Sequence, residues 1–241
     1  MPLPPLPETV NGEAFSRSAA LLGSEAMERL AKARILVVGV GGVGGWCAEA
    51  LVRTGVAHIA VMDDDVVAAS NINRQCPATT ETIGHPKVEA MRERLLSVNP
   101  EADVTALAVR FTGAEDISGH DVVVDAIDSV DCKAALILKA SELGVPIVSS
   151  MGAALRIDPT RVRVTRFEKV TGDGLARALR RRFREEGRFP RRFDCVWSDE
   201  PPRRCEGRGS LMQVTATFGM SLAARAVDLL CSPASLKRAE V

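Results

Sequence analysis

The chain has 241 residues, 46% of them hydrophobic, with 31 basic and 31 acidic side chains and no net formal charge. That apolar content supports a buried core and excludes wholesale disorder, and the length suits one large domain or two small ones. The balance hides an asymmetry. Residues 156–208 carry 15 Arg and one Lys against 9 acidic residues, a local +7 that leaves −7 for the remainder, and this marks either a polyanion surface or a solvated, arginine-rich helix and loop.

In chain order, residues 1–12 open with MPLPPLPETV, which is proline-rich and lacks the basic start and apolar centre of a signal peptide. They read as a short disordered lead to a single domain over 13–241. The run RILVV (34–38) ends at Gly39 and suits a strand buried on both faces. A helix follows from about Gly42 to Thr54, stopped by Gly55, then a second strand, HIAVM (58–62). Pro86 favours a helix start before KVEAMRERLLSVN (87–99). Strands are predicted at 103–109, 121–127 and 146–150, with a helix at 130–143 closed by Gly144. This alternation predicts an α/β, Rossmann-like, mostly parallel sheet with helices on both faces, its nucleotide-binding core at about 30–150.

Residues 161–167 break the rhythm after the turn signal Asp158-Pro159-Thr160 and suit an antiparallel strand. They open a basic C-terminal elaboration (156–241), antiparallel and helical. It has a basic helix at 174–187, an irregular stretch at 188–209, and a last helix at about 211–230 that Arg225 and Asp228 make too polar for a membrane span. A cytoplasmic location is expected, with no membrane partner. None of the six cysteines forms a C-x-x-C pair, so the strongest zinc signature is missing. Cys195 and Cys205 flank the irregular stretch and are candidate reactive thiols.

Gly39-Val40-Gly41-Gly42-Val43-Gly44 is a G-x-G-x-x-G turn between a predicted strand and a helix, the context in which backbone amides meet phosphates. Asp63, 24 residues after Gly39, ends the second strand where a carboxylate can hold ribose hydroxyls. A redox dinucleotide has no evident use for the Asn71, Arg74, Lys87 and Asp128 that follow. An amide, a guanidinium and an ammonium near a carboxylate suit a triphosphate with a divalent metal. Each residue has a plainer use: Asp128 with Ser129 as a helix cap, Lys87 as a surface lysine, Arg74 as a staple to Asp64 or Asp65, Asn71 as a turn residue.

The series G-x-G-G-x-G, Asp63-x-Asp65, Ser70-Asn71-x-x-Arg74-Gln75, Pro86-Lys87 and Asp125-Ala126-x-Asp128-Ser129 resembles the ubiquitin-activating-enzyme superfamily, whose bacterial members adenylate sulfur-carrier proteins. Residues 122–136, 156–165, 194–200 and 209–219 are similar to the branch that dehydrates threonylcarbamoyladenosine in tRNA. The resemblance implies ATP and Mg2+ as cofactors, with adenylation of the threonyl carboxylate and its closure into a cyclic ester. It implies Asp63 on the ribose, Arg74 and Asn71 on the phosphates, Asp128 at magnesium, and a homodimer. The catalytic candidates are Arg74, Lys87 and Asp128; Gly39, Gly41, Gly42, Gly44, Asp63, Asp65, Asn71 and Ser129 join them as binding candidates. The basic segment Arg177 to Arg192, interleaved with Phe183 and Phe189 and followed by Phe193, is the candidate tRNA surface. Activation of a ubiquitin-like sulfur-carrier protein is the alternative activity. The N-terminal stretch departs from the branch, with Ala14 and Ala20 where arginines are expected.

Overall fold

Each predicted apolar run between 34 and 150 becomes a parallel strand in the computed structural model, which describes residues 13–207 and 209–231. The strands are β1 (Arg34–Val38), β2 (His58–Met62), β3 (Asp103–Leu107), β4 (Val122–Asp125), β5 (Ile147–Ser150), β6 (Val162–Arg166) and β7 (Asp194–Ser198). They form a seven-stranded sheet in the order β3-β2-β1-β4-β5-β7-β6. Only the β6–β7 pair is antiparallel.

The helices are α1 (Ser16–Leu22), α2 (Ser24–Lys32), α3 (Gly44–Thr54), α4 (Lys87–Val98), α5 (Val130–Leu143), α6 (Gly174–Glu186) and α7 (Met212–Cys231). Strand alternation divides the core. Ile35 and Val37 face a cluster that includes Leu51, Met91 and Phe218, from α3, α4 and α7. Leu36 and Val38 face another that includes Leu136, Leu179 and Phe183, from α5 and α6. Ile35 through Val38 are all buried, alternating between the two clusters, so helices cover both faces, as a parallel sheet requires. Gly55 and Gly144 end α3 and α5 in the left-handed region, at φ +119° and +71°, and Pro86 caps α4 rather than opening it.

The stretch 188–209 corrects the sequence reading. Its centre is β7, buried throughout, paired parallel to β5 and antiparallel to β6. The expected lead at 1–12 lies outside the described residues. Two short helices, α1 and α2, precede β1. α7 is long and apolar enough to cross a membrane by composition alone, but here Val214, Phe218, Leu222 and Ala226 bury one face of it in the core. A Cβ on Gly219 of α7 would come within 2.5 Å of the Val43 carbonyl, so this helix sits directly against the start of α3.

Candidate active site

A cleft of about 720 Å³ opens at the carboxyl ends of β1, β2, β4 and β5, where ligands bind in open parallel sheets. Its floor is the glycine turn. Gly39 has φ +88°, and a Cβ there would meet the Ala126 carbonyl oxygen at 2.8 Å; a Cβ on Gly44 would overlap the Gly39 oxygen at 1.8 Å. Gly44 is buried behind the turn and serves packing. Gly41 and Gly42 line the cleft, and among the described residues beyond its chain neighbours the nearest atom to a Cβ built on Gly41 is Gln75 Nε2, at 3.7 Å. Open space there suits a ligand's approach to the backbone.

Asp63 braces this turn, accepting hydrogen bonds from Val40 N at 2.8 Å and Asp65 N at 2.9 Å. Burial pushes its carboxyl above the ordinary value, against the opposing pull of Lys87. Lys87 is no surface lysine: it is 6% exposed, and its ammonium lies 2.6 Å from Asp65 and 3.9 Å from Asp63. Arg74 does not staple Asp64 or Asp65. Its guanidinium donates to the Ser70 carbonyl and to Asn73 Oδ1, both at 2.9 Å, and its carbonyl accepts from the Trp46 indole at 2.9 Å. Asn71 lines the cleft while its Oδ1 caps a short 3-10 turn by accepting from Ala68 N at 3.1 Å.

The opposite wall is the Ala126–Val130 turn with Asp128 and Ser129, joined by Arg110 and Cys132. Ser129 begins α5 without a side-chain cap hydrogen bond. Asp63, Asp64 and Asp65 bring carboxylate oxygens within 4.8 Å of one another, but Arg110 holds Asp64 at 2.9 Å and Lys87 holds Asp65. The roof is the loop after β5, fixed by Asp173. That carboxylate accepts from Gly152 N, caps α6 through Ala176 N at 2.9 Å, and pairs with buried Arg156 at 3.1 Å.

Two lining residues escaped the sequence reading of the site. Arg110 follows β3 without a motif to mark it. Gln75 stands in the quoted motif beside Arg74; it is 7% exposed, lines the cleft, and its Oε1 has no hydrogen-bond partner among the described residues. A buried amide oxygen left unpaired is uncommon, and this one borders the cleft.

The basic segment is only partly a surface. Phe183 and Phe193 are buried in the core, and Phe167 stacks on Phe193 with centroids 4.9 Å apart. Of the three phenylalanines expected to meet bases, Phe189 alone is exposed, at 71%. Arg180 sits 4.8 Å over the Phe167 ring, Arg182 pairs with Glu186 and Asp131, and Arg188 pairs with Glu142. Arg177, Arg184, Arg191 and Arg192 are exposed. Cys195 is also corrected: it lies within β7, fully buried, and burial pushes its thiol far above the ordinary range, the reverse of a reactive thiolate. Cys205 is exposed.

A glycine turn, a strand-end carboxylate and three cationic side chains around one cleft define a nucleotide-binding, doubly wound α/β protein. The chain belongs to the ThiF family, whose profile matches residues 15–240. It is 36% identical, over 92% of its length and 94% of the relative's, to tRNA threonylcarbamoyladenosine dehydratase of Escherichia coli. The enzyme of that name from Bacillus subtilis is 38% identical over 78% of this chain and 75% of its own length. The E. coli dehydratase crystallised with ATP superposes with a TM-score of 0.86 at 38% identity, covering 93% of this chain and 96% of that one.

Proposed function

We propose that this chain is an ATP-dependent dehydratase acting on threonylcarbamoyladenosine in tRNA. The observation that carries this reading is the cleft itself: Gly41, Gly42, Asp63, Arg74, Lys87 and Asp128 line one cavity in a chain similar over nearly its full length to a dehydratase crystallised with ATP. A volume of about 720 Å³ is within the range of sites that enclose cofactor-sized ligands. Residues 13–241 work as one ATP-binding domain.

In the reaction, a threonyl carboxylate oxygen attacks the α-phosphorus of ATP and pyrophosphate leaves. The carbamoyl group of the same nucleoside then attacks the activated carbonyl and AMP leaves, so the nucleoside loses one water overall. Two anions must approach each other in the first step, so electrostatic stabilisation dominates. The Gly41–Gly42 amides hold the α-phosphate region and Asp63 holds the ribose. Lys87, backed by Asp65, and Arg74 meet the charge on the phosphates, with Asn71 and Ser129 beside them. The second step is intramolecular and needs no protein nucleophile, in keeping with the buried Cys195. Asp128 is exposed at the lip of the cleft. One carboxylate together with phosphate oxygens suits Mg2+, and Asp128 is the residue that would hold it; the ion supplies neutralisation of phosphate charge.

The tRNA lies over the exposed side of α6 and the loop after it, on Arg177, Arg184, Arg191, Arg192 and Phe189. The working unit is a homodimer in the cytoplasm. α1, which buries none of its residues and exposes Leu21 at 85%, faces the second copy. The test is AMP formation with tRNA carrying threonylcarbamoyladenosine and with tRNA lacking it, with nucleoside masses measured in parallel. AMP with the modified tRNA alone, and a nucleoside lighter by one water, is the expected result. AMP formed instead with a ubiquitin-like carrier protein, and none with tRNA, overturns the reading in favour of carrier activation.

A further inference from the structure

The turn that carries Asp128 hangs from a cluster of charge that no solvent reaches. Asp125 ends β4 and Lys133 lies in α5; both are 0% exposed, and they sit 2.7 Å apart. Ser149 of β5 closes the cluster: its Oγ donates to Asp125 Oδ2 at 2.6 Å and accepts from Lys133 Nζ at 3.2 Å. The other carboxylate oxygen, Oδ1, accepts from the backbone amide of Ile127 at 3.1 Å.

Ion pairs buried this deeply are rarely the most stable filling for their space, because apolar side chains of similar volume generally do as well or better. Stability alone therefore does not account for the cluster, whereas its attachment to Ile127 does. Ile127 adjoins Asp128, and the same turn presses on the glycine turn through Ala126, whose Cβ lies 3.0 Å from a Cβ built on Gly44. Neither Asp125 nor Lys133 lines the cleft.

We infer that Asp125, held in orientation by Lys133 and Ser149, is a positioning residue that sets the Ala126–Ser129 turn and, through it, the place of Asp128. The inference rests on the cleft being an ATP site with Asp128 at its phosphate end. It assigns the buried pair to the reaction without contact to any reacting atom.

Two neutral double variants separate orientation from charge. D125N/K133M keeps an amide oxygen for Ile127 N, and D125L/K133M removes it; neither leaves a lone buried charge. Hydrogen exchange at the Ile127 amide is expected to quicken more than tenfold in D125L/K133M, by loss of the bond, and to stay near wild type in D125N/K133M. In AMP formation, D125L/K133M is expected to lose about 10–100-fold in kcat, the effect of a small misplacement, with ATP Kd within about threefold. D125N/K133M should stay within about fivefold.

A mutant cycle with Asp128→Ala isolates the coupling. That substitution should cost wild type about 100-fold or more and the D125L/K133M protein less than about fivefold, because the carboxylate is already misplaced. Equal cost in both backgrounds overturns the inference, as does equal Ile127 exchange in the two double variants. Should D125L/K133M fail to fold, Ser149→Ala carries the same cycle, with an undiminished cost of Asp128→Ala the overturning result. Wild-type protein that makes no AMP on modified tRNA overturns the proposed function, and the exchange measurement still decides the role of Asp125.

Discussion

Arg74 spends its hydrogen bonds on neutral oxygens, those of Ser70 and Asn73, and no carboxylate pairs with it among the described residues. Its charge is therefore free to act on a ligand, unlike those of Arg110 and Arg188, which carboxylates hold. Arg74→Ala is expected to reduce AMP formation by about 10²–10³, or about 3–4 kcal/mol of transition-state stabilisation, with the melting temperature retained. Gln75 makes a second case. Leucine there removes an unpaired buried oxygen, so Gln75→Leu should leave the melting temperature of the unliganded protein unchanged or higher. Its ATP affinity, measured by calorimetry, should fall by about 5–30-fold, the worth of a single polar contact. Motif spacing made Arg74, Lys87 and Asp63 legible as a set. It gave no access to the open amide of Gln75, which is defined by what surrounds it.

At the level of elements, Glu49 of α3 ties together the pieces that carry these residues. It pairs with Arg53 at 2.8 Å and Arg94 of α4 at 2.9 Å, and it accepts from Cys76 Sγ at 2.8 Å, just beyond Arg74 and Gln75. Burial raises the Glu49 carboxyl, but the hydrogen bonds from Arg94, Cys76 and Arg53 outweigh burial and bring it down from 4.5 to about 2. A lowered carboxylate stabilises the fold fully above its unfolded value and loses that contribution as pH falls from about 4.5 towards 2. Glu49→Gln should therefore cost about 2–3 kcal/mol at pH 7. Melts between pH 7 and pH 2.5 should show its deficit against wild type shrinking below pH 4.5.

The strands of the core were legible because parallel strands buried on both faces read as short, nearly unbroken apolar runs, and Gly55 and Gly144 mark the ends of the helices between them. β7 escaped that rule. DCVWS holds three apolar residues between an Arg-rich approach and an acidic, proline-rich exit. Its leading Asp194 is tolerated next to the core because Arg225 and Arg166, from α7 and β6, reach it at 2.7 and 3.3 Å. Neither partner is near in sequence. The helix α2 did leave a local trace in the spacing of Ala26 and Leu30 and the Glu25–Arg29 pair.

Across the whole molecule, neutral net charge conceals a face built for polyanions. Four exposed arginines, at 177, 184, 191 and 192, meeting phosphates would give a log–log salt slope of about −3 for tRNA binding. Replacing Arg184 and Arg192 together with alanine should weaken binding and flatten that slope by about 1–2, as read from titrations across a salt series. An unchanged slope would place the RNA elsewhere. Ordinary ATP affinity in the same variant would show the cleft to be intact.

The placement of α7 against Val43 and Trp46 at the start of α3, and of β7 beside β5, bears on how the protein is born. The glycine turn is made before its supports: the helix packed against the start of α3 ends at residue 231, and the strand that covers β5 ends at residue 198. Until those elements are made, β5 presents an open edge and the part of α3 that packs on α7 has no cover. Long-range closure of this kind is slow and exposes surface that aggregates. Nascent chains halted before residue 194 should require chaperones and bind no nucleotide, so the ability to hold ATP arrives only after β7 and α7 have been made.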